Sequence, residues 1–575
     1  MAASEIVVGI DFGTTYSGVS WAVNGGSKKV RLIDNWPNPK AANATHEKVP
    51  SVISYRDGRV RHWGYEVDQT ADAFAFRWFK LLLDPGQKYG SNAVRPLQQS
   101  KKLLEALGKS AQDVVTDYLA QLWAWVQDDI GRYNGAHWTS IYSLKVVLTV
   151  PAIWSPLAKD NTERAAKAAG MPEDILLVTE PEAAALAVLK DTTSEMPGPQ
   201  IQPGDAFVVC DAGGGTVDLI SYEVKETQPL KIEECVPGNG DLCGSVFIDE
   251  GFEKWIRMTL GNKQFESINE RYRARMFSEF EGVKRCFAGN DKEYSVDLIG
   301  VEENEEAGIT GDTILLKPEL LKTVFDHVCS QIVRHVESQI EEIKENNPNV
   351  KAVLLVGGFG ASKYLHHRIE SSCRGMHVQV YQVRGAGATL WGLENSSFLN
   401  SANRTIAARI ARYSYGYCAG TRFDPLRHAI EDQYYNKRGE LYARQQMFWF
   451  IQRQGDRIEE GKELTSPIYV SVQVSSFSRF HSSDTHPFTH ALDYCADEKI
   501  PSRRGPSVKE LCSVKFEIDD KKLAKEKSYK DPRTKEKWRD ANFVLKVIPG
   551  NANLHFQVLY GGEVAESCEA LYKEG

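Results

Sequence analysis

Several features are scarce or missing in this chain. No apolar run approaches the ~20 residues of a membrane-spanning helix, and "MAASEIVVGID" enters a strand-like run without the basic-then-apolar plan of a secretory leader. The ten cysteines, from Cys210 to Cys568, form no C-x-x-C pair. That removes the usual zinc and dithiol signatures and leaves reduced, structural thiols. Positive charge is not in excess: 69 Lys and Arg face 77 Asp and Glu, for a formal net charge of −8. Nothing in the overall balance attracts a phosphate backbone or an acidic membrane, so any anion must be bound locally. The expectation is a cytoplasmic protein, with access to the nucleus left open, whose partners include neither nucleic acid nor membrane.

What is present is a repeated turn. In "IDFGTTYSGVSWAV" an apolar strand ends in Asp11 and is followed by Gly13, Thr14, Thr15 and Tyr16; in "VVCDAGGGTVDLISYEV" the plan returns as Asp211, Gly213, Gly214, Gly215 and Thr216. An aspartate at a strand end can hold a water-shelled Mg²⁺, an ion that prefers one or two carboxylates together with phosphate oxygens. Glycines behind it let backbone N–H groups approach an anion. Either turn alone reads equally well as a glycine-rich hairpin, but two of them on separate lobes can clasp a triphosphate from both sides. A third element, "KAVLLVGGFGASKYLHHRIE", is a strand, a turn at Gly357 and Gly358, and a helix. It lacks the spaced G-x-G-x-x-G of a dinucleotide site, and as a helix N-terminus behind a glycine turn it suits the adenosine end of a nucleotide.

With 575 residues, several domains are expected. Residues 1–200 and 201–395 read as two α/β lobes on one plan, and residues 396–575 as a β-rich domain. In the second lobe Val324, Val328, Ile332, Val336 and Ile340 recur at i+4, a core-facing helix stripe. In the β-rich part Ile468, Val470, Val472 and Val474 alternate, as do Leu554, Phe556, Val558 and Tyr560, and a hairpin is expected around Pro549, Gly550 and Asn551. The mixed-charge run "DDKKLAKEKSYKDPRTKEKWRD" reads as a solvated loop or helix face.

The ordered set "IDFGTTYS", "VPAIWSPLAKDNTERAAKAAG", "TEPEAAALAV", "VVCDAGGGTVDL", "FEGVKRCF" and "LLVGGFGASKYL" resembles the actin-like ATPase superfamily and, more narrowly, the DnaK-type heat-shock-70 chaperones. The resemblance covers roughly the first 395 residues. The run "VRGAGATLWG" is similar to the divergent branch found in fungi and in the animal twelve-type members. It implies an α/β fold, a two-lobed actin-like (duplicated ribonuclease H-like) ATPase followed by a β-rich domain that binds client polypeptides, with ATP or ADP and Mg²⁺ as cofactors and co-chaperones as partners. By the same resemblance Asp11 and Asp211 face Mg²⁺ through water; Gly13, Thr14, Thr15, Tyr16 and residues Gly213, Gly214, Gly215 and Thr216 hold phosphates; Glu180, Asp211 and Asp218 serve catalysis. Glu281, Lys284 and Arg285 share a helix face toward ribose and purine, with Gly357 and Gly358 beside them. Plainer readings stand next to these: Glu180 at a helix start favours the dipole, Asp218 is a polar strand residue, and the 281/284/285 set is a surface ion cluster.

Three departures from the family pattern qualify this. "WGYEVDQT" puts Asp68 where the family carries a lysine that reaches the reacting phosphate, and Lys80, in "RWFKLLLDPG", reads either as a substitute or as a helix-surface lysine. Loss of such a cation would slow hydrolysis more than it weakens binding. Phe359, Gly360 and Ala361 stand where the family has hydroxyl residues and an arginine. No apolar acidic linker is evident after Leu393 and no helical lid after Gly562, so lid-gated trapping is not expected. The resulting expectation is an atypical chaperone whose slow Mg-ATP hydrolysis controls peptide binding. The alternatives are a non-hydrolysing nucleotide-binding scaffold, an actin-fold phosphotransferase acting on a sugar or metabolite, and a filament-forming relative of actin.

Overall fold

The computed structural model describes residues 5–24, 29–39, 45–68, 74–84, 95–190, 201–227, 230–382, 406–452, 455–459, 462–474, 485–497, 499–550, 554–565 and 568–572. It divides into two compact units, Met1–Thr405 and Ile406–Gly575. The expected boundary at 395/396 and the run "VRGAGATLWG" lie outside the described residues.

The first unit repeats one topology. Strand Glu5–Phe12 pairs antiparallel with Tyr16–Asn24 and parallel with Ser143–Val150, which pairs parallel with Leu176–Thr179; Arg31–Leu32 lies beyond Tyr16–Asn24. Counted in chain order, these strands lie 3-2-1-4-5 across the sheet. Strands Leu230–Asp241, Val217–Thr227, Ala206–Ala212, Val350–Val356 and Gln379–Gln382 lie side by side in the same 3-2-1-4-5 order. The central strands are covered on both faces, with Ile6, Val7, Val8, Val208 and Val209 fully buried, as parallel pairing with helical crossovers requires. The crossovers include Ala111–Asn134, opened by a Ser110/Asp113 capping box, and Pro156–Ala168, capped by Ser155 with proline in its first turn. The long helix Pro318–Asn346 buries Val324, Val328, Ile332, Val336 and Ile340, the stripe its periodicity predicted. Ligands of open α/β sheets bind outside the carboxyl ends of the strands. Asp11 and Asp211 stand near those ends in the two first strands.

In the second unit two antiparallel sheets enclose one core. One sheet includes Leu441–Ile451, Ser414–Arg422, Thr485–Cys495 and Val508–Asp519; the other includes Leu464–Gln473, Lys537–Pro549 and Leu554–Tyr560. Ile468, Val472, Phe516, Phe543, Val558 and Tyr560 pack between them, which is how period-two alternation buries one face of each strand. The hairpin about Pro549 pairs Pro549 with Leu554, its turn residues 551–553 lying outside the described set. The mixed-charge run is more structured than a solvated loop: Ser528–Lys530 pairs with Lys537–Pro549, and buried Asp531 accepts the N–H groups of Arg533 and Thr534.

Candidate functional site: a cleft between paired hairpins

The two hairpin turns of the first unit meet tip to tip. A Cβ placed on Gly214 would stand 2.3 Å from Thr15 Oγ1, and one on Gly215 would stand 3.1 Å from Thr14 Cγ2. Only a residue without a side chain lets the turns approach this closely. The third turn closes on the second: Gly357 has φ +88°, and a Cβ there would fall 2.3 Å from Asp211 Oδ1. The Phe359 and Gly360 N–H groups both donate to Ala212 O, at 2.9 and 3.0 Å, which pins this turn to the strand carrying Asp211.

Between these turns lies a cleft of about 710 Å³, within the ~300–1,000 Å³ usual for small-molecule sites. Asp11, Gly13, Thr14, Thr15, Tyr16, Glu180, Asp211, Gly213, Gly214, Thr216, Glu281, Lys284, Arg285, Gly357 and Gly358 all line it. Gly215 and Asp218 are not among the lining residues. Asp218 is 1% exposed and accepts the Ile153 N–H at 3.1 Å, so it stands behind the wall. Phe359 and Ala361 line the cleft as well, the former 5% exposed and part of the second lobe's core.

Lys80 lines the cleft, which corrects its reading as a helix-surface lysine. Asp68 does not line the cleft. Lys80 is no surface lysine: its side chain is 2% exposed, its Nζ donates to Glu180 Oε1 at 2.7 Å, and the rings of Trp154 and Phe12 lie 5.1 and 5.4 Å away. The flanking "WF" and "LLL" are the signal that could have revealed it, because a lysine set among large apolar residues must be buried with a partner. A second cation went unread. Lys48 Nζ donates to Asp11 Oδ2 at 2.7 Å, while Thr149 Oγ1 donates to Asp11 Oδ1 at 3.3 Å. No periodicity marks Lys48 in "HEKVPS".

Four carboxylates share this region and their protons are interdependent. Burial pushes Glu180 up to about 7; Lys80 opposes the rise, and Asp11 and Asp218 add to it. Burial, then Glu180, Asp11 and Asp218, drive Asp211 well above the usual carboxylate range. Burial would also raise Asp11, but the Lys48 ammonium outweighs it and holds that carboxyl below its ordinary value.

At the far end, the 281/284/285 set is tied more tightly than helix spacing alone suggests. Lys284 is 8% exposed and bridges Glu281 and Asp249, each at 2.7 Å; Glu281 also accepts from Arg285 Nε at 2.9 Å. Lys284 therefore holds Glu281 in place and is not free to lie over a ring. Arg285 is the exposed cation of the pair. Asp249, on helix Val246–Leu260, is a member the sequence did not disclose.

Among the described residues no three His, Cys, Asp or Glu side chains form a metal-holding group. Two carboxylates on facing hairpins still suit Mg²⁺, which keeps most of its water and completes its shell with phosphate oxygens.

Comparison with known proteins agrees with this architecture. The chain is 23% identical over 519 residues to Heat shock 70 kDa protein 12B of Homo sapiens, covering 75% of this chain and 73% of that protein. It is 23% identical to Heat shock 70 kDa protein 12A of Homo sapiens, over 74% of each chain. Chaperone protein DnaK of Mycoplasma mycoides is 25% identical over 358 residues, 62% of this chain and 53% of that one. The chain is a divergent relative of the heat-shock-70 family. Two family models, each described as a domain of unknown function, match residues 202–382 (DUF8340) and 409–574 (DUF8568) of this heat-shock-70 relative. Its fold is accordingly that of an actin-like ATPase with a β-rich C-terminal part.

Proposed function

We propose that this protein is a heat-shock-70-like nucleotide-binding protein that hydrolyses ATP slowly in the cleft and uses the nucleotide to control polypeptide binding by its second unit. The observation that carries the reading is the meeting of two topologically equivalent hairpins, through Thr15 and Gly214, over a cleft holding Asp11, Asp211, Glu180, Lys48 and Lys80. Threonine hydroxyls and turn N–H groups bind and orient phosphates. Mg²⁺ at Asp11 and Asp211 would neutralise phosphate charge. Glu180, with a carboxyl near 7, can accept a proton from a water in line with the terminal phosphate. Lys80 positions that carboxylate and supplies positive charge where the transition state gains negative charge. A lysine in the cleft beside Glu180 supports hydrolysis over the alternative of a non-hydrolysing scaffold. The reduced thiols of Cys210, Cys243, Cys329 and Cys373 suit a reducing, cytoplasmic setting.

Peptide binding belongs to the second unit taken by itself. Strand Leu464–Gln473 lies at the end of its sheet and carries Pro467, as edge strands do. Beside it is a hollow of about 470 Å³ lined by Met447, Phe448, Trp449, Phe450, Leu464 and Ile500. An extended peptide could add to this edge by backbone hydrogen bonds and set an apolar side chain into the hollow. Leu554–Tyr560 is paired along its length with Lys537–Pro549 and, on its other side, with Glu563–Val564 at Leu559 and Tyr560.

Titration with Mg-ATP alongside single-turnover hydrolysis tests the first half of the proposal. Binding with turnover is expected, and binding without turnover in the folded protein would return it to a scaffold. Fluorescence anisotropy of unfolded-protein peptides, with and without ATP, tests the second half. Weak, fast-exchanging binding that ATP alters is expected, and no binding across a broad peptide set would end the client role.

A further inference from the structure

The pair Lys48–Asp11 is built with more care than a surface contact. Its backbone is fixed from three sides: the Tyr65 hydroxyl donates to Lys48 O at 3.0 Å, Val49 and Pro50 pair with Ser17 and Tyr16, and Ser51 N donates to Thr15 O at 2.9 Å. The stem of Lys48 lies over Gly18, where a Cβ would come within 3.3 Å of Lys48 Cγ and 3.6 Å of Cε. The strand thus leaves a groove for the lysine to cross toward the cleft. Both side chains remain partly open to the cleft, 42% exposed for Lys48 and 39% for Asp11, and both line it. A cation delivered by a rigid segment therefore contacts one of the two carboxylates suited to Mg²⁺.

Resting on the nucleotide reading of this cleft, we propose that Lys48 is a built-in counter-cation for the nucleotide's phosphates, so that this protein binds nucleoside triphosphate with little dependence on Mg²⁺. The ammonium and the ion compete for Asp11. In the absence of metal the lysine is already positioned to meet phosphate oxygens that the ion would otherwise neutralise. Asp211, on the facing hairpin, is then the carboxylate left for a divalent cation, which makes metal binding a weaker, secondary event.

The test is equilibrium binding of ATP to the full chain, in excess EDTA and in excess Mg²⁺, for the wild-type protein, Lys48→Met and Gly18→Val. The wild type is expected to bind in EDTA within about tenfold of its affinity in Mg²⁺. Lys48→Met is expected to weaken EDTA binding by about 10- to 100-fold, the range of one charge-assisted hydrogen bond, while Mg²⁺ binding falls less. Gly18→Val, which displaces the lysine stem without removing its charge, should shift the ratio in the same direction by a smaller factor. Wild-type binding that needs Mg²⁺ by more than about 100-fold, or a Lys48→Met ratio equal to wild type in a protein with unchanged circular dichroism, overturns the inference and leaves the nucleotide cleft intact. Absence of ATP binding in both conditions removes the nucleotide reading, and this inference with it.

Discussion

Asp11 and Asp211 lie near the ends of corresponding strands in two sheets of identical strand order, and they differ in the charges that reach them. Asp11 is held ionised by Lys48 against the effect of burial, whereas Asp211 is driven toward its protonated form by burial and by three neighbouring acids. Duplication therefore supplies a symmetrical cradle and leaves the chemistry to insertions that are not duplicated. Lys48 and Lys80 come from segments after the first lobe's second strand; Asp249, Glu281, Lys284 and Arg285 come from helices after the second lobe's third strand. In the nucleotide reading proposed above, one lobe would equip the phosphate end and the other the nucleoside end.

The largest effect should come from removing the buried cation on the first-lobe side. Lys80→Met is expected to lower single-turnover ATP hydrolysis by about 10²- to 10³-fold, the loss typical of one group aimed at transition-state charge. ATP affinity should change far less, while Asp68→Lys should leave the rate where it is. Equal losses of rate and affinity in Lys80→Met would assign the lysine to binding alone.

Next in size is the contact through which the hairpins touch. Gly214→Val drives methyl groups into Thr15 and should weaken ATP binding at least about tenfold, measured by titration on protein whose circular dichroism is unchanged. Thr15→Gly in the same chain should recover part of the loss, because it returns the missing space. Failure to recover would mean that Gly214 matters for its backbone and not for the meeting of the lobes.

A smaller effect is expected from pH. Glu180 titrates near 4.5 in an unfolded chain and at about 7 in the fold. The folded protein thus holds a proton across that window, and the associated stability is present below about 4.5 and lost as pH rises through about 7. The carboxylate that accepts a proton from water gains over the same range, so hydrolysis should rise with pH through about 7 as nucleotide-free stability falls. Glu180→Gln should flatten both curves, and a rate that falls with pH would exclude Glu180 as the base.

Much of this was legible in the sequence because it is local. A strand, a turn and a strand fall within about twenty residues, so both hairpins, the third glycine turn and the stripe on Pro318–Asn346 could be read from spacing. The pairs Lys48–Asp11, Lys80–Glu180 and Lys284–Asp249 span 37, 100 and 35 residues, and no periodicity encodes which acid a distant lysine meets. Reading Lys80 as a helix-surface residue followed from this: chain position does not show the burial and the acid partner that the fold supplies.

The smallest predicted effect separates the two aspartates directly. Asp211→Asn mimics the protonated form that its neighbours favour, so near pH 8 it should stabilise the nucleotide-free protein, by about 1 kcal/mol or less. Asp11→Asn leaves Lys48 without its carboxylate and should destabilise, also by about 1 kcal/mol or less, because the pair is partly open to solvent. The transition to follow is the one that ATP raises, since ligand binding stabilises only the unit that binds. Lowering the pH should shrink the gain from Asp211→Asn, because that carboxyl takes up its proton well above the usual carboxylate range, while the loss from Asp11→Asn persists because Lys48 holds that carboxyl below it. Shifts of the same sign for both variants at pH 8 would mean that the hairpins share one electrostatic environment as well as one fold.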